Sequence, residues 1–184
     1  MFAMSDGRPA PAHPDAVVEG ATYRITVLTS RLLRLEWHPE GAFVDQPTQT
    51  VADRSFDVPG FTVDDVGGSL EVRTDHLRLR YDRGPFSASG LSATLTRGAA
   101  DPHYSTWRFG ETYPQSLPGR GNLLGTARTL DEVDGACPLE PGILATYGFA
   151  VLDDSSTVLL STDGWVAPRT AGGRDLYLFA HGLD

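Results

Sequence analysis

Asp131, Glu132 and Asp134 place three carboxylates within four positions at the end of a glycine-rich run. Carboxylates are strong hydrogen-bond acceptors, so such a group suits polar ligands; it equally describes a solvated acidic loop. Asp153-Asp154 is a second pair. Neighbouring residues of an extended chain point to opposite faces, and this pair joins two apolar runs, so a turn role is expected for it. His13, His38, His76, His103 and His181 are scattered without ligand spacing, and no metal site is expected. His76, His103 and Glu111 have the right types for an acid–base pair. Gly119-Arg120-Gly121 is a partial dinucleotide pattern, but it follows no clear strand and opens no helix, so no cofactor is expected. Trp37, Trp107 and Trp165 have rings that could stack on a sugar; packing in a core or domain interface is the expected use. Cys137 is alone, which excludes an intrachain disulfide or thiolate cluster and leaves an inert buried thiol.

The elements that must position these residues read as strands. Tyr23, Ile25 and Val27 alternate with Arg24 and Thr26; Leu33, Leu35 and Trp37 alternate with Arg34 and Glu36. That period marks half-buried strands, and Thr29-Ser30 turns one into the next. Residues 42–60 read mostly as loop. Phe61 to Val63 and Leu70 to Arg73 flank the turn signal Asp64-Asp65-Val66-Gly67-Gly68. Leu77, Leu79 and Tyr81 alternate with Arg78, Arg80 and Asp82, so one side of their sheet is expected to be wet. Leu91, Ala93 and Leu95 make the next strand. Tyr147 to Leu152 and Thr157 to Ser161 read as two strands joined by a turn. Trp165 and Val166 close another strand, and Leu176 to Ala180 form the last. Glycines and prolines make residues 119–142 a long punctuated loop, in which only Thr129 to Val133 suit a helical turn. Strand following strand predicts an all-β, antiparallel β-sandwich.

The chain has 184 residues, enough for one domain: residues 1–16 read as a disordered tail and 17–184 as the β-sandwich domain. A formal charge of −9 argues against nucleic acid as a partner, because phosphates call for Lys and Arg. No apolar run reaches membrane-spanning length, so no membrane partner is expected. No basic segment followed by an apolar stretch stands at the N-terminus, which reads as a cytoplasmic protein.

Three blocks together resemble the N-terminal domain of glycoside hydrolase family 31, the α-glucosidases and α-xylosidases. The first runs from Asn122 to Asp131, with Pro138-Leu139-Glu140-Pro141-Gly142 and Val151-Leu152-Asp153-Asp154-Ser155 after it. The second is Arg31-Leu32-Leu33-Arg34-Leu35-Glu36, followed by Phe43, Asp45, Pro47, Thr48, Gln49 and Thr50. The third is Asp175 to Gly182. The chain departs from the family at Thr146-Tyr147-Gly148-Phe149, where an Arg-Asp-Gly-Trp-like sequence is usual. The resemblance implies a galactose-mutarotase-like supersandwich that packs on a catalytic (β/α)₈ barrel, absent from this chain. Retaining glycosidases use two carboxyl groups about 5 Å apart. In this family both are barrel aspartates, so the chain alone is expected to be inactive.

The resemblance also implies a carbohydrate-binding role for the loop. In the family a loop of this domain gives an aspartate to the sugar pocket; Asp131 matches it, with Glu132 beside it and Arg128 orienting it. A stand-alone carbohydrate-binding module and an aldose-1-epimerase-like enzyme are the alternatives. Separated from a barrel, the domain is expected to self-associate through apolar surface, with Leu176 to Phe179 and the long loop as candidates.

Overall fold

The computed structural model describes residues 11–97, 105–111, 121–125, 134, 135, 137, 139, 141–161, 165–169 and 172–182. A 3₁₀ turn, Pro14–Ala16, leads into β1 (Val17–Glu19), β2 (Tyr23–Thr29) and β3 (Leu32–Trp37). Next come β4 (Phe61–Val66), β5 (Ser69–Thr74), β6 (Leu77–Tyr81), β7 (Leu91–Leu95) and β8 (Thr106–Arg108). The last strands are β9 (Ala150–Asp153), β10 (Leu159–Leu160), β11 (Val166–Ala167) and β12 (Arg174–Phe179). They form a sheet in the order β1-β2-β3-β12-β9, a second in the order β4-β5-β6-β7-β8, and a small β10-β11 ribbon. Every strand pairing is antiparallel. We call the first the β12 sheet and the second the β6 sheet.

The two five-stranded sheets pack as a sandwich because each has one apolar row. Ile25, Val27, Leu33, Leu35, Leu176 and Leu178 of the β12 sheet join Leu70, Val72, Leu77, Leu79, Leu91 and Ala93 of the β6 sheet in one buried cluster. Burying a side chain of this size is worth about 1.5–3 kcal/mol, which makes the shared interior the main cohesive term. Tyr23 and Tyr81 cross between the sheets edge to face, with centroids 5.2 Å apart. At one end Thr74 Oγ1 donates to Ser30 O at 2.6 Å and His76 Nδ1 lies 3.0 Å from Ser30 Oγ, tying the β5–β6 turn to the β2–β3 turn. No helix among the described residues is long and apolar enough to cross a membrane.

Several sequence expectations change in detail. β4 runs through Asp64-Asp65 to Val66, and Gly67-Gly68 alone make the turn, with φ of 61° and 80°. Both central residues therefore lie in the left-handed region, which a two-residue hairpin demands and glycine permits. The expected hairpin across Asp153-Asp154-Ser155-Ser156 does not form: β9 pairs with β12, and β10 pairs with β11. Within the terminal run, β12 lies between β3 and β9 with Leu176, Tyr177 and Leu178 buried, while Phe179 is half-buried at the edge of an apolar groove. Its apolar composition reflects a strand covered on both faces. Order also begins before residue 17, since Ala16 is buried at the foot of β1.

Candidate functional site

The inward rows of β2, β3 and β12 are apolar, which sends Arg24, Arg34, Glu36, Asp175 and Tyr177 to the outer face by the two-residue period. Register brings them side by side: Arg24 opposite Glu36, Glu36 opposite Asp175, and Arg34 opposite Tyr177. The segment 42–58 lies over this face and closes it from solvent. Arg34, Glu36 and Asp175 are each only 2% exposed. A buried charge is tolerated only when paired and hydrogen-bonded, and here the pairing is continuous.

Arg24 grips Glu36 through Nε at 2.6 Å and Nη2 at 2.9 Å, and its Nη2 also reaches Asp45 at 2.8 Å. Arg34 grips Asp175 in the same two-pronged way, Nε at 2.9 Å and Nη2 at 2.7 Å, and touches Glu36 at 3.1 Å. Arg169 completes the row, its Nη2 donating to Asp175 at 2.7 Å and Asp154 at 3.1 Å. The covering segment is latched to the same groups. Val44 O accepts from Arg34 at 2.8 Å; Arg54 Nη1 donates to Gln46 O at 3.1 Å and Arg54 Nε to the Tyr177 hydroxyl at 2.5 Å.

Position in the row decides each titration. Burial pushes the Asp175 carboxyl up, but the hydrogen bonds and charges of Arg34 and Arg169 outweigh it and hold the group below its ordinary value. For Glu36 burial wins over Arg24 and Arg34, with the Asp175 charge adding to it, and its pKa is raised. Burial pushes the Tyr177 hydroxyl up to about 12, so it stays protonated.

Cavities flank the row, one of about 360 Å³ beside Arg24, Arg34 and Asp45 and two more. One, of about 220 Å³, is lined by Glu36, Trp37, His38, Phe43, Arg169 and Asp175 among others. His38 Nε2 and Trp37 Nε1 are buried, with no hydrogen-bond partner among the described residues. The other, of about 320 Å³, is an apolar groove bordered by Leu32, Phe56, Ile143, Val151 and Phe179.

Among the residues singled out from sequence, Asp131, Arg128 and Glu132 lie outside the described residues, as do His103 and the expected helical turn at Thr129 to Val133. Asp134 is exposed. What the structure does describe is the root of that loop. Asn122 Nδ2 donates to Gly142 O at 2.7 Å, while Asn122 Oδ1 accepts from Gly142 N at 2.7 Å and Leu124 N at 2.8 Å. A Cβ at Gly142 would stand 2.7 Å from Leu124 O, so the close approach of the two loop stems requires glycine. Thr146 and Gly121 bond across the same root, and Ala145 N donates to His181 Nε2 at 3.1 Å.

Asp153 and Asp154 divide their work. Asp153 is exposed and makes the expected turn, its Oδ1 accepting from Ser155 N at 2.9 Å. Asp154 is fully buried and pairs with Arg169, a role the turn reading missed. His76 and Glu111 do not meet. His76 adjoins the Leu77–Leu95 end of β6 and β7, and Glu111 pairs with Arg108 at the Leu91 end. Of the tryptophans, Trp107 is in the core and Trp165 is 73% exposed. Cys137 is half-buried and a free thiol. No group of three or more His, Cys, Asp or Glu that could hold a metal occurs among the described residues. No family model matches the chain, and no curated protein matches it.

Proposed function

We propose that the chain is the non-catalytic N-terminal β-sandwich domain of a retaining α-glycosidase of family 31, with the galactose-mutarotase-like supersandwich fold. In this reading it packs on the catalytic barrel and lends the loop between Gly121 and Gly142 to the sugar-binding pocket. One observation carries the proposal. Of the blocks that resemble the family, 31–36, 151–155 and 175–182 fall on the neighbouring strands β3, β9 and β12 and their immediate ends. A further block, Phe43 to Thr50, begins in the segment latched across them. The clamped loop root adds support: it holds the stems of a long excursion together beside His181, as a loop that reaches into a neighbouring domain requires. The epimerase alternative loses the pairing of His76 with Glu111.

Asp131, oriented by Arg128 and with Glu132 beside it, accepts hydrogen bonds from sugar hydroxyls near the cleaved bond. A hydrogen bond to a charged acceptor is worth about 1.5–3 kcal/mol. At about 1.4 kcal/mol per tenfold, Asp131→Ala in the full-length enzyme lowers kcat/KM by roughly 10- to 150-fold. Steady-state kinetics on an aryl α-glucoside or α-xyloside tests this, and an unchanged kcat/KM removes Asp131 from the pocket. The domain alone should not hydrolyse these substrates; turnover that persists across expression hosts overturns the reading.

A further inference from the structure

We propose that the cavity over β1, β2 and β3 binds a small zwitterion of α-amino-acid type, its carboxylate on Arg24, Arg34 and Thr26 and its ammonium group towards Glu19 and Asp45. The cavity, of about 360 Å³, lies on the outer face of the β12 sheet. Register builds its floor: Val17 pairs with Thr26 and Thr26 with Arg34, while Glu19 pairs with Arg24. The two-residue period of each strand turns these side chains to one face. Asp45 of the covering segment lines it too, as do Pro11 and Pro14 from the stretch before β1.

The floor holds donors that the buried row does not use. Arg34 directs Nε to Asp175 and Nη2 to Asp175, Glu36 and Val44 O. Arg24 directs Nε to Glu36 and Nη2 to Glu36, Asp45 and Val44 O. A guanidinium has five N–H donors, so those on each Nη1 are left over. Neither Nη1 has an acceptor among the described residues, and neither is sealed from solvent as Arg54 Nη2 is. Arg34 is only 2% exposed, so the accessible part of its Nη1 opens where the residue lines this cavity. Thr26 is as deeply buried and lines the same cavity, and its hydroxyl is likewise neither partnered among the described residues nor sealed. Both Nη2 atoms donate to Val44 O, at 2.8 Å from Arg34 and 3.3 Å from Arg24, which sets the two guanidinium groups side by side. Adjacent guanidinium donors match the paired oxygens of a carboxylate.

The charges are graded with depth. Arg34 is buried and Arg24 nearly so, whereas Glu19 and Asp45 are exposed. Each arginine is already matched, Arg34 by Asp175 and Arg24 by Glu36, and Glu19 and Asp45 add negative charge. A bare anion would therefore gain hydrogen bonds at the floor without net attraction, and a bare cation would leave the floor donors unmet. A zwitterion is complementary at both ends. Val17, Pro11 and Pro14 offer apolar surface to a small side chain. The volume is that of about twelve waters, enough for a free amino acid. This site requires neither a barrel nor Asp131, so it stands or falls apart from the family reading.

The test is an amide-resolved NMR titration of the full chain with L-valine. Isovalerate, which lacks the ammonium group, and isobutylamine, which lacks the carboxylate, are the comparisons. L-valine should give saturable millimolar shifts centred on Val17, Thr26 and Asp45, and each comparison should bind about fivefold more weakly. The variants leave both arginines in place, because the fold depends on them. Thr26→Val keeps the branched shape but removes the hydroxyl, and L-valine affinity should fall about threefold. Glu19→Gln, at the exposed rim, should lower it about twofold. If L-valine gives no saturable shifts there, the cavity holds water only and the proposal is wrong. Isovalerate or isobutylamine binding as tightly as L-valine, or unchanged L-valine affinity in both folded variants, also overturns it.

Discussion

β3 and β6 carry the same alternation, and their polar rows end in opposite surroundings. Arg78 and Arg80 of β6 are exposed; Arg34 and Glu36 of β3 are buried. Both strands lie in the middle of a five-stranded sheet and turn their apolar rows into the same core. The difference lies outside them. Segment 42–58 covers the β12 sheet, held by Arg34 on Val44 O and by its own Arg54 on the Tyr177 hydroxyl. The partners differ as well. Arg34 faces Tyr177 and lies beside Asp175, whereas Arg78 sits opposite Arg73, a like charge, and Arg80 opposite Glu71, which Arg73 also pairs. The two polar rows therefore differ less in the signs they carry than in what covers them.

The sharpest break in this comparison is removal of one buried charge. Arg34→Met should destabilise the fold by about 3–5 kcal/mol, because Asp175 and Glu36 stay buried with less compensation. Urea unfolding measures it, and a loss below about 1 kcal/mol would mean that the 42–58 cover opens freely. The next effect concerns two tyrosine hydroxyls. Tyr177→Phe strips the Nε partner from the fully buried Arg54 and should cost about 1–3 kcal/mol. Tyr81→Phe, in the β6 sheet, frees only the half-buried Gly84 carbonyl and should cost less. A reversed order of the two losses would count against the cover as the deciding factor.

Acid titration separates two carboxylates of the buried row. The folded pKa of Asp175 lies below its ordinary 3.8, so its charge stabilises above that pH, and this is lost as pH falls through the folded value. The stability advantage of the native chain over Asp175→Asn should shrink below pH 3.8. Glu36 has the opposite sign. Its folded pKa lies above 4.5, so its contribution is fully present below that pH and is lost as pH rises through the folded value. Relative to Glu36→Gln, the native chain should gain stability as pH falls towards 4.5. Parallel pH profiles of the two differences would contradict the assignment. The smallest expected effect is the control on the other sheet: Arg78→Ala should change unfolding stability by no more than about 0.5 kcal/mol.

Much of the β6 sheet was readable from the chain, because its hairpins are sequential and its alternation local. Leu77, Leu79 and Tyr81 went inward and the arginines outward as the period requires. The β12 sheet was less readable. Its centre pairs Arg174 with Trp37 and Phe179 with Leu32, partners far apart in the chain that no local pattern links. Asp154 shows the cost of local reading. A turn signature fits Asp153-Asp154 as a unit, and both serve it, Asp153 through its side chain and Asp154 through its carbonyl to Thr157 N, but the Asp154 side chain points inward to Arg169. The signal for the buried row was present as outward positions of opposite sign on β2, β3 and β12, but it became decisive only with the register known. The expected loop site at Asp131, Arg128 and Glu132 stands on its sequence alone; the Asn122–Gly142 clamp at its root came from the structure.

Residue order determined the all-β class, the places of most strands and the glycine turn at Gly67-Gly68, since each depends on side-chain period or backbone freedom within a few residues. Tertiary structure alone decided that Arg24, Arg34, Glu36, Asp154, Asp175 and Arg169 form one buried row. Desolvation is the physical reason. Whether a charged side chain is paired or hydrated depends on what covers it, and here the cover is the separate segment 42–58, folded back over strands that are themselves distant in the chain.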